Sequence, residues 1–194
     1  MAKHRILVVV FVAVVVAVVL FLGWRRSGPN VFQAAFQPGG TVDLDLSIGG
    51  YEIRGTSDNQ IRVEIDADDV TSARSEIRVN GNRATVRVDG QPNNFHAVIF
   101  VPQQTHLNAH QTIGQLRVVN VEGDKYLGLN IGQIQVDVPE SDKIKSVDVA
   151  VSIGSVRAGP WRTGKGGFFR SFRAGGHGSY TVNAHLDIGD IEID

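Results

Sequence analysis

From Thr41 onward, apolar and polar residues alternate with period two. Val42, Leu44 and Leu46 alternate with Asp43 and Asp45, and Ile61, Val63 and Ile65 alternate with Arg62 and Glu64. Alternation of this kind puts one face of a strand in a core and the other in water. Ile77 and Val79, then Val86 and Val88, flank Asn80-Gly81-Asn82. A tight-turn sequence between two alternating runs predicts a hairpin. No stretch after residue 27 carries a helical stripe. The pattern therefore predicts an all-β domain over residues 41–194, built as a β-solenoid or as stacked sheets.

One segment breaks the alternation. Residues Ile6 to Leu22 read ILVVVFVAVVVAVVLFL, and Gly23 and Trp24 follow. From Ile6 to Trp24, at about 1.5 Å per residue, a helix spans about 28 Å, near the roughly 30 Å of a bilayer core. The run predicts one transmembrane α-helix, with Ile6, Val10, Val15 and Leu20 in lipid and Trp24 at the interface. A cleaved signal peptide has a shorter apolar region and an A-x-A-like site; this run ends in Leu-Gly-Trp-Arg-Arg. Residues 1–26 are thus read as a short cytoplasmic tail and anchor. Residues 27–40, opening on Ser27-Gly28-Pro29-Asn30, are read as a tether. The flanking bases, Lys3 and Arg5 against Arg25 and Arg26, are nearly balanced. The short tail favours the N terminus inside and the domain outside, periplasmic or extracellular, on a single-pass cell-membrane protein.

Charge and composition narrow the function. All 20 acids follow residue 27 and four of the 19 bases precede it, leaving the domain negative by about five charges. That balance disfavours nucleic acid as a partner. There is no cysteine, which removes disulfides, thiol chemistry, thiolate zinc sites and iron–sulfur clusters.

A short unit, Ile-Gly-x-Φ-x-Φ with Φ apolar, recurs. It starts at Ile48, Ile113, Ile131, Ile153 and Ile188, with 65, 18, 22 and 35 residues between successive glycines. The expected geometry has the isoleucine closing a buried strand and the glycine making a bend before the next strand. Intervals near 20 suit coils of a solenoid; ordinary hairpins with glycine turns are the alternative.

Together with the strand Val98-Ile99-Phe100-Val101-Pro102 and the closing Gly189-Asp190-Ile191-Glu192-Ile193, these units resemble a bacterial adhesin-like β-solenoid family of unknown biochemical role. The resemblance covers about Gly39 to Asp194. It implies a membrane-tethered, solenoid-like domain. The long interval from Gly154 to Gly189 departs from the family's spacing.

Specific chemistry is sparse. Gly159 to Lys165 fits G-x-x-x-x-G-K, but Gly166 replaces the Ser or Thr that would hold magnesium, and no helix pattern follows. A glycine-rich surface loop is the expected reading. His106 and His110 lie about 13 Å apart on one strand, too far to chelate one metal. Asp66, Asp68 and Asp69 lack the glycine of a calcium loop. No catalytic constellation is assignable, and neither a cofactor nor a metal is expected. From Arg157 to His185 there is no acid, while Trp161, Arg162, Lys165, Phe168, Phe169, Arg170, Phe172 and Arg173 interleave bases with aromatics. This segment is either a docking loop for protein or anionic lipid, or a cap on the end of the domain.

The expected function is that of a non-enzymatic interaction protein held in lipid by its helix. It would act as an accessory or scaffolding subunit, bracing other membrane-protein subunits of a larger bacterial complex, respiratory or photosynthetic among the settings. The alternative is an adhesin-like binder of an envelope polymer or a cell surface. An envelope sensor fits less well, because the short tail has little with which to signal. Deleting residues 1–26 is expected to release a soluble protein with a β-type circular dichroism spectrum. An insoluble or unfolded product would overturn this boundary.

Overall fold

A computed structural model describes residues 30–66, 74–89, 95–138 and 141–194. The expected anchor, including Ile6, Val10, Val15, Leu20 and Trp24, lies outside these residues. No helix among the described residues is long and apolar enough to cross a membrane.

The alternating segments are strands, as the pattern predicts. In chain order they are β1 (Asn30–Ala35), β2 (Thr41–Thr56), β3 (Gln60–Asp66), β4 (Arg74–Asn80), β5 (Arg83–Asp89) and β6 (His96–Pro102). Then come β7 (His106–Val119), β8 (Lys125–Val136), β9 (Ile144–Ala158), β10 (Thr163–Gly175) and β11 (Tyr180–Ile193). They form one sheet in the order β1-β3-β6-β2-β7-β8-β11-β9-β10, with the β4–β5 hairpin attached to the first half of β2. Gly81 takes φ 59° in the two-residue turn of that hairpin, the sign such turns need.

The tether is corrected at its centre. Asn30 to Ala35 pair antiparallel with β3 from Asn30↔Ile65 to Ala35↔Gln60. Phe36 is buried in the core. The domain therefore begins at or before Asn30, with a strand too short for its alternation to stand out.

The five Ile-Gly units lie side by side. Strands β2, β7, β8, β11 and β9 run parallel and in register, so that Gly49, Gly114, Gly132, Gly189 and Gly154 form a row across the sheet. Their φ values lie between 131° and 149°, a region that side chains rarely adopt. Gly132 shows what the row demands: a Cβ there would lie 1.8 Å from the Gly114 carbonyl oxygen. Each backbone passes where its neighbour's side chain would be.

At each glycine the chain turns a corner. In β2 the buried positions are Val42, Leu44 and Leu46 before Gly49, and Tyr51 and Ile53 after it. The inward parity shifts from even to odd, and the two legs bend around one core. The first leg of β2 pairs with β5 and the second with β6.

This geometry corrects the expected burial of the isoleucines. Ile48, Ile113, Ile131, Ile188 and Ile153 sit at the corner and are 37–45 % exposed. They form an apolar ridge on the surface, while the residues on either side of the corner fill the core. The stacking order also departs from chain order, since β11 inserts between β8 and β9. The long Gly154–Gly189 interval holds β10, which turns back antiparallel on β9 before the chain returns to that gap.

One base is buried in the core region. Lys125, at the start of β8, is 1 % exposed; its Nζ donates to the Gly123 carbonyl at 2.9 Å and lies 4.1 Å from the centre of the Tyr180 ring. Burial pushes its pKa down to about 8, against a pull upward from Asp124 and Glu122.

Two outcomes are expected. Gly132→Ala should lose about 3 kcal/mol or more in urea unfolding, from backbone strain and collision together. Gly164→Ala, where a Cβ meets nothing within 4 Å, should stay within about 0.5 kcal/mol; equal losses would overturn the corner constraint. Lys125 is held with its pKa below the unfolded value, so stability should rise as pH climbs from about 8 towards 10.5. Lys125→Met should be more stable than the parent by about 1–3 kcal/mol at neutral pH, with the gap closing over that window. A Met variant less stable at neutral pH would show that the Tyr180 and Gly123 contacts outweigh desolvation.

Candidate functional site

In-register stacking turns the outward positions of successive strands into rows. On the outer face of the first legs, one row reads Asp43, Asn108, Tyr126, Asn183, Asp148, Arg173. The adjacent row reads Asp45, His110, Gly128, His185, Ala150, Ser171. Gly128 and Ala150 are small, so the second row dips beside each of them. The result is a shallow groove of about 480 Å³ lined by His110, Tyr126, Gly128, Ala150, Asn183 and His185. Across Gly128, two strand spacings place the histidine backbones about 10 Å apart.

Tyr126 is 51 % exposed beside this groove and offers a ring face with a hydroxyl at its tip. Its cross-strand neighbours are both amides, Asn108 and Asn183. Asn108 is fixed in place, donating from Nδ2 to Asp43 Oδ1 at 2.8 Å. Arg83 holds the other side of that carboxylate, with Nε 2.5 Å from Oδ2, and keeps the Asp43 pKa below its usual range despite partial burial. At the far wall Asp148 accepts from Arg173 Nε at 2.8 Å, and His185 Nε2 lies 3.3 Å from Asp187 Oδ1. A planar aromatic flanked by amides, imidazoles and carboxylates on an open floor suits a flat polyhydroxylated ligand better than a small apolar one.

The aromatic and basic segment lies at the end of the stack, where Arg173 and Ser171 close the two rows. It is not a glycine-rich loop. Gly159–Trp161 make a single 3-10 turn, and Thr163–Gly175 are strand β10. Arg162 closes the turn with φ 50° and its N–H bonded to the Gly159 carbonyl at 2.9 Å. Trp161 and Phe172 pack on the core with ring centroids 5.6 Å apart, as a cap would. Phe168 and Phe169 are 68 % and 84 % exposed, as a docking element would be. Phe168 pairs with Ile153 and so extends the isoleucine ridge by one step. Arg173 is ion-paired to Asp148, whereas Lys165 Nζ and Arg170 Nε reach the main-chain oxygens of Ser171 and Gly166.

The remaining candidates have structural partners. Strand β10, not a helix, follows the phosphate-loop-like Gly159 to Lys165. His106 is separate from His110 in role: its Nδ1 accepts the Asp124 N–H at 3.1 Å. Asp66 ends β3 opposite His96, and Asp68 and Asp69 lie outside the described residues. Among the described residues no group of three or more His, Asp or Glu could hold a metal ion. Sequence reasoning missed Tyr126, Asn183 and the pairing of His110 with His185 across one groove. Only the equal offset of each residue from its Ile-Gly unit could have aligned them, and β11 would still have needed its place in the stack.

No family model and no curated protein matches the chain. Solved structures do. A putative cell adhesion protein from Clostridium sporogenes aligns over 85 % of this chain and 98 % of its own, at 13 % identity and a TM-score of 0.54. A putative adhesin from Bacteroides fragilis covers 87 % and 98 % at 10 % identity, with a TM-score of 0.35. The likeness to the Clostridium sporogenes protein shows that the described domain shares its all-β fold.

Proposed function

We propose that this chain is a non-enzymatic, adhesin-like binding protein whose first-leg groove takes a glycan-type envelope polymer. The observation that carries this is the groove itself: an exposed Tyr126 between two amides, with His110 and His185 across a glycine floor. Sugars present apolar C–H faces that stack on aromatic rings, and hydroxyls that need donors and acceptors at fixed positions. The groove is open along the sheet, so a chain can pass through it where a small molecule would be poorly enclosed. The fold shared with a putative cell adhesion protein is consistent with this reading.

The apolar run Ile6 to Leu22 supports placing the domain at a membrane, on the extracytoplasmic side where such polymers lie. The parallel, in-register stack with one corner per strand supports reading the domain as solenoid-like. No feature described above favours a bracing role in a respiratory or photosynthetic complex.

The test is co-sedimentation of the detergent-solubilised full chain with purified peptidoglycan sacculi and with soluble cell-wall polysaccharides. Binding is expected, and Tyr126→Ala should weaken it about tenfold, equivalent to about 1.4 kcal/mol. Equal binding by Tyr126→Ala and Asn183→Ala variants, or none by the parent across the polymers, would overturn the proposal.

A further inference from the structure

Strand β10 ends the sheet, and its outer edge has no strand partner among the described residues. It is 13 residues long, a large exposed template of N–H and C=O groups. Charged side chains commonly blunt such an edge, and Lys165 and Arg170 do so in part, donating to the Ser171 and Gly166 carbonyls of β10 itself. Two adjacent exposed phenylalanines do the opposite, since they invite contact.

Three occupants can be weighed by charge and position. A second copy pairing through β10 would set Lys165, Arg170 and Arg173 against themselves, with no acid in residues 163–175 to relieve them. A membrane reached through the N-terminal apolar run would lie at the wrong end. Strand β1 and β10 terminate opposite ends of the sheet, eight steps or about 38 Å apart. Were Trp24 held in a bilayer, the six Cα steps to Asn30 would reach about 22 Å at most, and that bilayer would lie near β1. An extended acidic segment fits both the charge and the edge.

We propose that β10 accepts an acidic, extended segment of a partner protein as an added strand. Main-chain hydrogen bonds to the β10 edge would hold it, and alternate side chains would set its specificity. Lys165 and Arg170 share the face of Val156 and Val151 on β9, and Phe172 shares that of Val149. A strand laid beside them meets two bases that lack a carboxylate partner among the described residues, and an aromatic step at Phe172 and Trp161. Carboxylates interleaved with apolar residues complement that face. Phe168 and Phe169 supply the contact at the corner.

The test uses the full chain in nanodiscs of neutral lipid and a fluorescent peptide alternating glutamate and valine. Saturable binding is expected, weakened about tenfold by Lys165→Glu with Arg170→Glu and by Phe168→Ser, each checked for folding by circular dichroism. N-methylating alternate peptide amides should abolish it, because an added strand needs those donors. Equal binding of a lysine–valine peptide, or of the N-methylated one, would overturn the proposal. So would recruitment of the same surface to phosphatidylglycerol vesicles without peptide binding, or a concentration-dependent dimer removed by the same substitutions. Tyr126→Ala should leave peptide affinity unchanged, which separates this edge from the polymer groove.

Discussion

The domain depends on backbones passing within touching distance at a row of glycines. Gly49, Gly114, Gly132, Gly189 and Gly154 each take a φ near 140°, and the carbonyls of the first four stand where the next glycine's Cβ would be. One such position would be a local turn. Five in register make a hinge line along which a long parallel sheet folds over its own core. Cooperativity follows: no strand can shift by one residue without driving a side chain into an adjacent carbonyl, so the glycine row pins the register that β alternation alone leaves weakly specified. At the β6 end Phe95 closes the line, its ring 2.6 Å from a notional Cβ on Gly49 and 5.6 Å from the Tyr51 ring.

The two candidate surfaces are consequences of that register. Because equivalent positions stack, the outer face is organised in rows across strands, and a small residue in one row opens a depression beside a large one in the next. Gly128 and Ala150 make the floor; Tyr126, His110 and His185 rise around it. The corner itself cannot bury its isoleucines, because the bend that shifts inward parity carries their side chains to the rim. The exposed ridge is thus a cost of the turn, and Phe168 and Phe169 extend it to the free edge. A stack built from pairwise contacts must end somewhere. At β10 it ends on bases and aromatics, with Trp161 and Phe172 covering the last layer of core.

Several ion pairs on the legs tie neighbouring strands of the same lattice. Arg83 on Asp43, Arg117 on Asp137 and Arg157 on Glu192 link neighbouring strands or turns on the outer face. These exposed pairs contribute little stability each, and their larger effect is to favour one alignment of strands over another. Lys125 is placed differently, in the core. Buried near Tyr180, it gives up part of its basicity, and its partners are a carbonyl and a ring in place of a carboxylate.

Local order was legible in the chain, and neighbour choice was not. The alternation of Val42, Leu44 and Leu46, the Gly81 turn and the five Ile-Gly units identify strands, a hairpin and corners, because side-chain period and positive φ are properties of short segments. Val31 to Gly40 carried too weak a pattern to reveal the short strand β1 or the buried Phe36. Which strand lies beside which depends on main-chain hydrogen bonds that carry no side-chain signature. Nothing in Ile188-Gly189 announces that it slots between β8 and β9, or that β10 turns back to leave a free edge. That insertion assembles the groove by bringing Asn183 and His185 beside Tyr126, and it leaves Phe168 and Phe169 at the end of the stack. Side-chain period and the Ile-Gly units were enough for most strands and for the corners, though not for β1 or β10; the order of stacking, and with it the groove and the free edge, came from main-chain pairing between distant segments.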